Sequence, residues 1–136
     1  MIKKLSYTNI LSLHADVLEL YGGSDGILDD SHLRYLCDAP YLEMFGIPMF
    51  PTIYDKATQY MFGFCQSQCF VDGNKRTGVS ATYMFLLING ILIKVPSKHL
   101  YEIALKISNV SNQDTSLTEQ LKDNFKSFLV KETVHI

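Results

Sequence analysis

The sequence has no excess of charge of either sign. Its 136 residues include 12 lysines and arginines against 14 aspartates and glutamates, which gives a formal net charge of −2 at pH 7. Proteins that bind nucleic acid usually carry a basic patch or a basic overall balance, because they must neutralise phosphates. The composition therefore argues against a direct nucleic-acid partner.

Long hydrophobic runs are also missing. The longest apolar stretch lies within residues 79–88, whereas a membrane-spanning helix needs about 20 apolar residues. The N-terminal residues 1–4 lead into a mixed polar stretch rather than into the apolar segment of a cleavable signal. We therefore expect no membrane partner and a cytoplasmic location.

Cysteine is scarce, and its spacing carries no pattern. The three cysteines, Cys37, Cys65 and Cys69, are odd in number and lack the spacing of a metal-ligand pair. This argues against a disulfide framework and against a zinc site, so we expect reduced thiols in the core or in loops. Cys69 lies beside the candidate site described below, but a reactive cysteine needs a neighbouring cation or base, and we assign it no catalytic role.

Apolar residues recur at helical spacing along most of the chain. The predicted helical faces are Ile10, Leu13, His14, Val17 and Tyr21; Leu33, Leu36 and Cys37 after Asp29; Ala57, Tyr60, Met61, Phe64 and Cys65; Leu100, Ile103, Ala104 and Ile107; and Leu117, Leu121, Phe125 and Phe128. Ser97 is predicted to cap the fourth of these helices, and Ser116 with Glu119 to form a capping box for the last.

A further helix, almost entirely apolar, runs from Lys75 to a stop at Gly90. Since it has no polar face, we expect it to be buried on every side. The segment Ile91–Val95 is too short to build a sheet and is interpreted as a connector, and His135 is expected to lie in a disordered tail. With 47% hydrophobic residues and no linker, the chain is predicted to form one all-α domain over residues 1–136, with about six helices around a buried central helix.

The segment that leads into this central helix has the chemistry of an anion-binding turn. Asp72-Gly73-Asn74 is turn material, and the helix that follows offers unpaired N–H groups and the positive end of its dipole. Gly73 permits close approach to a phosphate, while Lys75 and Arg76 add charge. Asp72 is the only nearby carboxylate able to hold Mg²⁺, and Phe70 is interpreted as an apolar anchor. An ordinary turn with solvated charges is the alternative.

The stretch Gln68–Thr77 resembles the signature of the Fic/Doc family. Doc-like members read His-x-Phe-x-Asp-x-Asn-Lys-Arg, and Gln68 stands where the family has its histidine. Lys75 stands at the second glycine of the Fic-like form and Val79 at its last arginine, and both departures favour the Doc-like branch. The likeness covers roughly residues 10–95; it also rests on Leu13-His14, Tyr21-Gly22-Gly23, Gly26, Phe50-Pro51-Thr52 and Asn89-Gly90.

The resemblance implies a transferase that uses ATP and Mg²⁺. In the family the histidine takes a proton from a Ser, Thr or Tyr hydroxyl of a target protein, and Fic-like members transfer AMP whereas Doc-like members transfer phosphate. The implied nucleotide-binding residues are Gly73, Asn74, Lys75 and Arg76, with Asp72 as the metal ligand. Gln68 is not basic enough to take a proton near neutral pH, so activity is expected to be weak or absent.

The resemblance also implies two protein partners. Residues 44–51 break the helical pattern with prolines and a glycine, which suggests a loop or small hairpin. In the family this segment is the flap that holds the target by strand addition, here with Ile47, Met49 and Phe50; the alternative is a packed connector. Residues 115–120 nearly match a Fic-type inhibitory motif, but helix capping explains them, and the Doc-like pattern implies a small separate antitoxin instead.

None of the four histidines replaces the missing base. His14 lies on an apolar helix face and is interpreted as a structural core residue, while the others lie at helix starts or in the tail. Two hypotheses remain. The chain is either a toxin enzyme of feeble activity, with Gln68 natural or introduced, or a pseudoenzyme that binds a nucleotide or a protein without chemistry.

Overall fold

The computed structural model describes residues 1–136 and contains six α-helices, one 3₁₀ turn and two pairs of short antiparallel strands. The helices are α1 (Tyr7–Tyr21), α2 (Asp30–Asp38), α3 (Ile53–Cys65), α4 (Asn74–Ile88), α5 (Ser97–Ser108) and α6 (Thr115–Lys131). The strands are β1 (Glu43–Met44), β2 (Ile47–Pro48), β3 (Ile91–Ile93) and β4 (Thr133–His135), and the 3₁₀ turn Ala39–Tyr41 joins α2 to β1. The predicted all-α class with about six helices is confirmed.

Helix α4 is the central element. It packs most extensively against α3, and it also contacts α1, α5 and β3. Seven of its residues are buried, including Thr77, Phe85 and Leu86, and the others are partly covered. The apolar sequence of α4 thus corresponds to a helix with no exposed face. No helix of the protein combines the length and the apolar character needed to cross a membrane.

Two predicted helix caps are wrong. Ser97 is the first residue of α5, and the capping position is occupied by Pro96, which has no side-chain oxygen. Helix α6 begins at Thr115, and the carboxylate of Asp114 accepts the hydrogen bond from the N–H of Leu117 at 3.2 Å. An N-cap residue must have a non-helical backbone, so Ser116, already inside the helix, cannot serve. Helix α2 is capped by Asp29, whose side chain accepts the N–H of His32 at 3.0 Å.

The interpretation of residues 91–95 as a connector is wrong, because β3 pairs with β4. The register places Leu92 opposite Val134, and the N–H of Ile136 donates to the carbonyl of Gly90 at 2.8 Å. His135 accordingly belongs to a strand rather than to a disordered tail. The pair closes the far end of α4 and keeps Ile91 buried.

All three cysteines are free and buried. Burial raises the pKa of the Cys37 thiol to about 11, that of Cys65 to about 12 and that of Cys69 to about 11. These thiols are therefore protonated near neutral pH. A protonated, enclosed thiol is a poor nucleophile, which agrees with a packing role.

Candidate functional site

The signature turn leads directly into the N-terminus of α4. Gly73 is the N-cap residue and adopts the left-handed conformation with φ +83°. A Cβ at this position would lie 3.3 Å from Val17 and 3.4 Å from His14, so a side chain would be both strained and crowded. No side chain caps the helix. The first N–H groups of α4 are therefore free to bind an anion.

A glycine-rich segment between α1 and α2 supports the outer side of the turn. The N–H of Leu28 donates to the carbonyl of Cys69 at 2.8 Å, and the N–H of Val71 donates to the carbonyl of Gly26 at 3.0 Å. A Cβ on Gly26 would lie 2.9 Å from the side chain of Val71. The two segments thus approach as closely as paired strands, which requires a residue without a side chain.

Asp72 is held in place through one of its two carboxylate oxygens. Its Oδ2 accepts the N–H of Ser24 at 2.7 Å. Its Cβ is so close to the backbone of Gly23 that a Cβ added to Gly23 would lie only 3.1 Å away. The other oxygen has no partner in the chain, and the side chain faces solvent. No cluster of three or more His, Cys, Asp or Glu side chains could hold a metal. A single free carboxylate oxygen beside an anion-binding helix end fits Mg²⁺, which completes its shell with water and phosphate.

Phe70 and His14 form the floor of the turn. Phe70 is fully buried, and the ring of His14 stacks on it with centroids 3.7 Å apart and planes 6° apart. The Nε2–H of His14, itself 3% exposed, donates to the carbonyl of Asp72 at 2.8 Å. His14 lies in the core, as expected, but its contact with the turn was not predicted. The sequence does carry a signal for this contact: a histidine on an apolar helix face becomes buried, and its ring N–H then needs a hydrogen-bond partner.

The side chain of Asn74 clamps the turn. Its Oδ1 accepts the N–H of Phe70 at 3.1 Å, and its Nδ2 donates to the carbonyl of Phe70 at 3.0 Å. The thiol of Cys69 also lies 3.6 Å from that Oδ1. These contacts occupy the side-chain amide. Of the predicted phosphate ligands, Asn74 therefore offers only its backbone N–H.

Gln68 and Lys75 line one polar cleft. The cleft has a volume of about 460 Å³, and its opposite wall is the α5–α6 connection, residues 108–112. Gln68 is exposed, and Lys75 is partly covered. Lys75 takes no part in the three ion pairs of the protein. Its ammonium group is thus available to an anion that reaches the start of α4.

Arg76 lies in a different cleft. This cleft, of about 400 Å³, lies between α1, α4 and α5. The guanidinium carbon lies 3.7 Å from the ring centroid of Tyr21 and 3.9 Å from that of Tyr101. The structure therefore places Lys75 and Arg76 on two sides of the helix start. Sequence reasoning missed Tyr101, which is distant along the chain.

The segment before α3 is a hairpin. Strands β1 and β2 pair at Met44 and Ile47, and Phe45 at the tip is 97% exposed with φ +52°. Ile47 and Met49 are also exposed, whereas Phe50 is partly covered. The Nζ of Lys56 donates a hydrogen bond to the Phe50 carbonyl. The expected loop or small hairpin is thus a hairpin with an unusual number of exposed apolar side chains.

Comparison with known proteins gives two results. Residues 4–86 match the family model described as Fic/DOC family. A Toxin Doc of Mycolicibacterium smegmatis (strain ATCC 700084 / mc(2)155) is 32% identical over 71 residues, which are 52% of this chain and 55% of that protein. The chain thus spans about half the length of the curated relative it matches. Both α5 and α6 lie beyond the residues matched by the family model.

Proposed function

The chain belongs to the Fic/DOC family, in its Doc-like branch, and from this premise we propose that it is a toxin-type protein of a toxin–antitoxin pair. Its site would bind ATP with Mg²⁺ and transfer phosphate, or alternatively AMP, to a hydroxyl of a target protein. We further propose that Gln68 makes this transfer weak or absent.

The open N-terminus of α4 carries this proposal. The left-handed Gly73 ends the turn without a capping side chain, so the amides of Asn74 and Lys75 are free. Two basic residues in the first turn oppose the helix dipole, and neither Lys75 nor Arg76 has an acidic partner. A bound phosphate would relieve this unfavourable arrangement, which supports a nucleotide as the ligand.

Asp72 is the proposed metal ligand. Its hydrogen bond from Ser24 fixes the carboxylate and leaves one oxygen for a cation. When bound, Mg²⁺ would neutralise the charge of the nucleotide phosphates. The contribution of the chain is to hold the carboxylate beside the open helix end and to keep the turn rigid through Phe70 and Asn74.

Gln68 limits the chemistry. The amide oxygen of glutamine can accept a hydrogen bond from a hydroxyl group, but it is not basic enough to take the proton. Loss of a positioned general base costs about 10²–10⁴ in rate, or roughly 3–5 kcal/mol of transition-state stabilisation. Phosphoryl transfer depends mainly on positioning and electrostatics, so a residual rate is compatible with the arrangement.

Two surfaces suit the proposed protein partners. The hairpin presents Ile47 and Met49 next to unpaired strand edges, with Phe50 at its base. These edges suit a target segment that adds to the hairpin as a further strand.

The second surface is an apolar groove of about 490 Å³ that runs between α1, α4 and the start of α5 and includes Leu13, Val17 and Met84. This groove suits an amphipathic helix of a small antitoxin.

A pseudoenzyme is the second candidate. It is favoured by one observation: the phosphate turn is complete, whereas the position of its general base holds Gln68. Such a protein would bind a nucleotide or a protein partner without transferring a group.

The substitution Gln68→His separates the two candidates. We expect the native chain to bind Mg²⁺–ATP by calorimetric titration and the variant to label lysate proteins from radioactive ATP about 10²–10⁴ times faster. Label in the γ-phosphate reports phosphate transfer, and label in the α-phosphate reports AMP transfer. Expression of the variant should arrest growth.

A matched control is Gln120→His, which adds the same side chain at an exposed position of α6 and should leave transfer unchanged. Binding of ATP by Gln68→His without any labelled protein would favour the pseudoenzyme. Absence of ATP binding by the native, folded chain would contradict the assignment of the turn.

A further inference from the structure

We propose that Tyr21 and Tyr101 are positioning residues that hold the guanidinium of Arg76 for the nucleotide phosphates. This inference rests on the proposed function and assigns two residues that lie outside the signature. Tyr21 is the last residue of α1, and Tyr101 lies in the second turn of α5. The clamp therefore joins three helices around one side chain.

The distances define the clamp. The guanidinium carbon lies 3.7 Å from one ring centroid and 3.9 Å from the other. Two rings this close cannot occupy the same face of a planar group, so each covers one face. The N–H donors of a guanidinium point outward in its plane. Stacking on both faces thus leaves the donor edges as the part of Arg76 that a ligand reaches.

No carboxylate competes for these donors. Glu102 lines the same cleft, but Arg76 forms no ion pair with it or with any other acidic residue. An arginine used only for stability would be expected to pair with such a neighbour. The aromatic faces attract the cation without using its N–H groups. The arrangement therefore keeps the guanidinium of Arg76 oriented and its N–H donors available.

Orientation matters because arginine has a long, flexible side chain. A free side chain would lose rotamer freedom when it binds phosphate, and this loss weakens binding. The two rings restrict the side chain before the ligand arrives. Arg76 belongs to the first turn of α4, as do the free amides of Asn74 and Lys75. A phosphate bound at those amides would have Lys75 on one side and the restricted Arg76 on the other.

The test is a double-mutant cycle on Mg²⁺–ATP affinity, measured by calorimetry. Tyr21→Leu and Tyr101→Leu should each weaken binding about fivefold to tenfold, whereas Tyr21→Phe and Tyr101→Phe, which keep the rings, should retain affinity. In an Arg76→Ala background the leucine substitutions should have no further effect. Tyr35→Leu is a matched control, since Tyr35 on α2 is 54% exposed, as is Tyr21.

The outcomes are distinguishable. Two results would overturn the clamp and leave the proposed function intact. One is full Mg²⁺–ATP affinity in both leucine variants, and the other is that the leucine substitutions weaken affinity as much in the Arg76→Ala background as in the native chain. Failure of the native, folded chain to bind Mg²⁺–ATP would remove the proposed function and the clamp with it. In the Gln68→His background the leucine variants should raise KM for ATP more than they lower kcat.

Discussion

His14 connects the first helix to the geometry of the signature turn. Its ring stacks on Phe70, and its Nε2–H donates to the carbonyl of Asp72 at 2.8 Å. The same ring lies against the position that a Cβ on Gly73 would occupy. One buried side chain thus contacts the anchor, the proposed metal ligand and the glycine of the turn.

We expect His14→Leu to destabilise the protein by about 1–3 kcal/mol, because leucine fills similar space but leaves the Asp72 carbonyl without its donor. The free energy of unfolding is measured by urea titration. Affinity for Mg²⁺–ATP should fall as well, since the turn loses its support.

The control for this prediction is His99→Leu, at an exposed position of α5, which should change stability by less than about 0.5 kcal/mol. A His14→Leu variant as stable as the native chain would show that the hydrogen bond contributes nothing.

The sequence indicates the turn because its chemistry is local. Asp72, Gly73 and Lys75 are neighbours in the chain, and a helix start after a glycine turn is recognisable without a structure. The contacts of Ser24 with Asp72 and of Tyr101 with Arg76 join residues far apart in sequence. No periodicity encodes such pairs, so the supporting residues had to come from the fold.

Among the elements, the pairing of β3 with β4 is the one that helical periodicity cannot indicate. The partners lie at opposite ends of the C-terminal third, and each is only three residues long. Each helix, by contrast, repeats its apolar face within its own segment. Short strands therefore need tertiary information, whereas the helices of this protein could be located from the sequence.

The backbone hydrogen bonds between β3 and β4 alternate along the two strands. The N–H of Ile136 donates to Gly90, and the N–H of Lys94 donates to the carbonyl of Glu132 at 2.8 Å. Hydrogen-bonded pairs alternate along antiparallel strands, so Leu92 and Val134 form the bonded pair between these two. The N–H of His135 consequently points away from β3.

This alternation predicts unequal effects of proline. Val134→Pro removes a ladder donor and should cost about 1–3 kcal/mol, measured as a lower midpoint in urea unfolding. His135→Pro places the same ring where the N–H faces away from the partner strand, and its cost should be clearly smaller. Equal costs at the two positions would contradict the register.

At the scale of the whole molecule, the C-terminal third completes the core. The single buried cluster of 24 residues includes Leu100, Ile107, Phe125 and Leu129 together with residues of α1 to α4. A polar contact also joins the C-terminal third to the rest of the protein, since Lys126 of α6 pairs with Asp55 of α3 at 2.8 Å. The residues matched by the family model therefore lack part of their packing without α5 and α6.

From this shared core we predict that residues 1–136 unfold in one cooperative transition. Phe125 is 3% exposed and packs on Phe62 with ring centroids 6.2 Å apart. Phe125→Ala should cost about 3–5 kcal/mol, because it leaves a cavity between α3 and α6. If the core is one unit, this loss must lower the stability of the signature turn as much as that of α6 itself.

The NMR signals of two histidines can follow the signature turn and the C-terminal third separately during urea unfolding. His14 lies under the turn, and His99 on α5 lies near Phe128 of α6, with the two rings tilted and their centroids 5.6 Å apart. Both signals should follow the same transition in the native chain and shift together in Phe125→Ala. Tyrosine fluorescence supplies a global probe, as the chain has no tryptophan. A shift of the His99 transition alone would mean that the last third unfolds separately, and the single-domain prediction would be wrong.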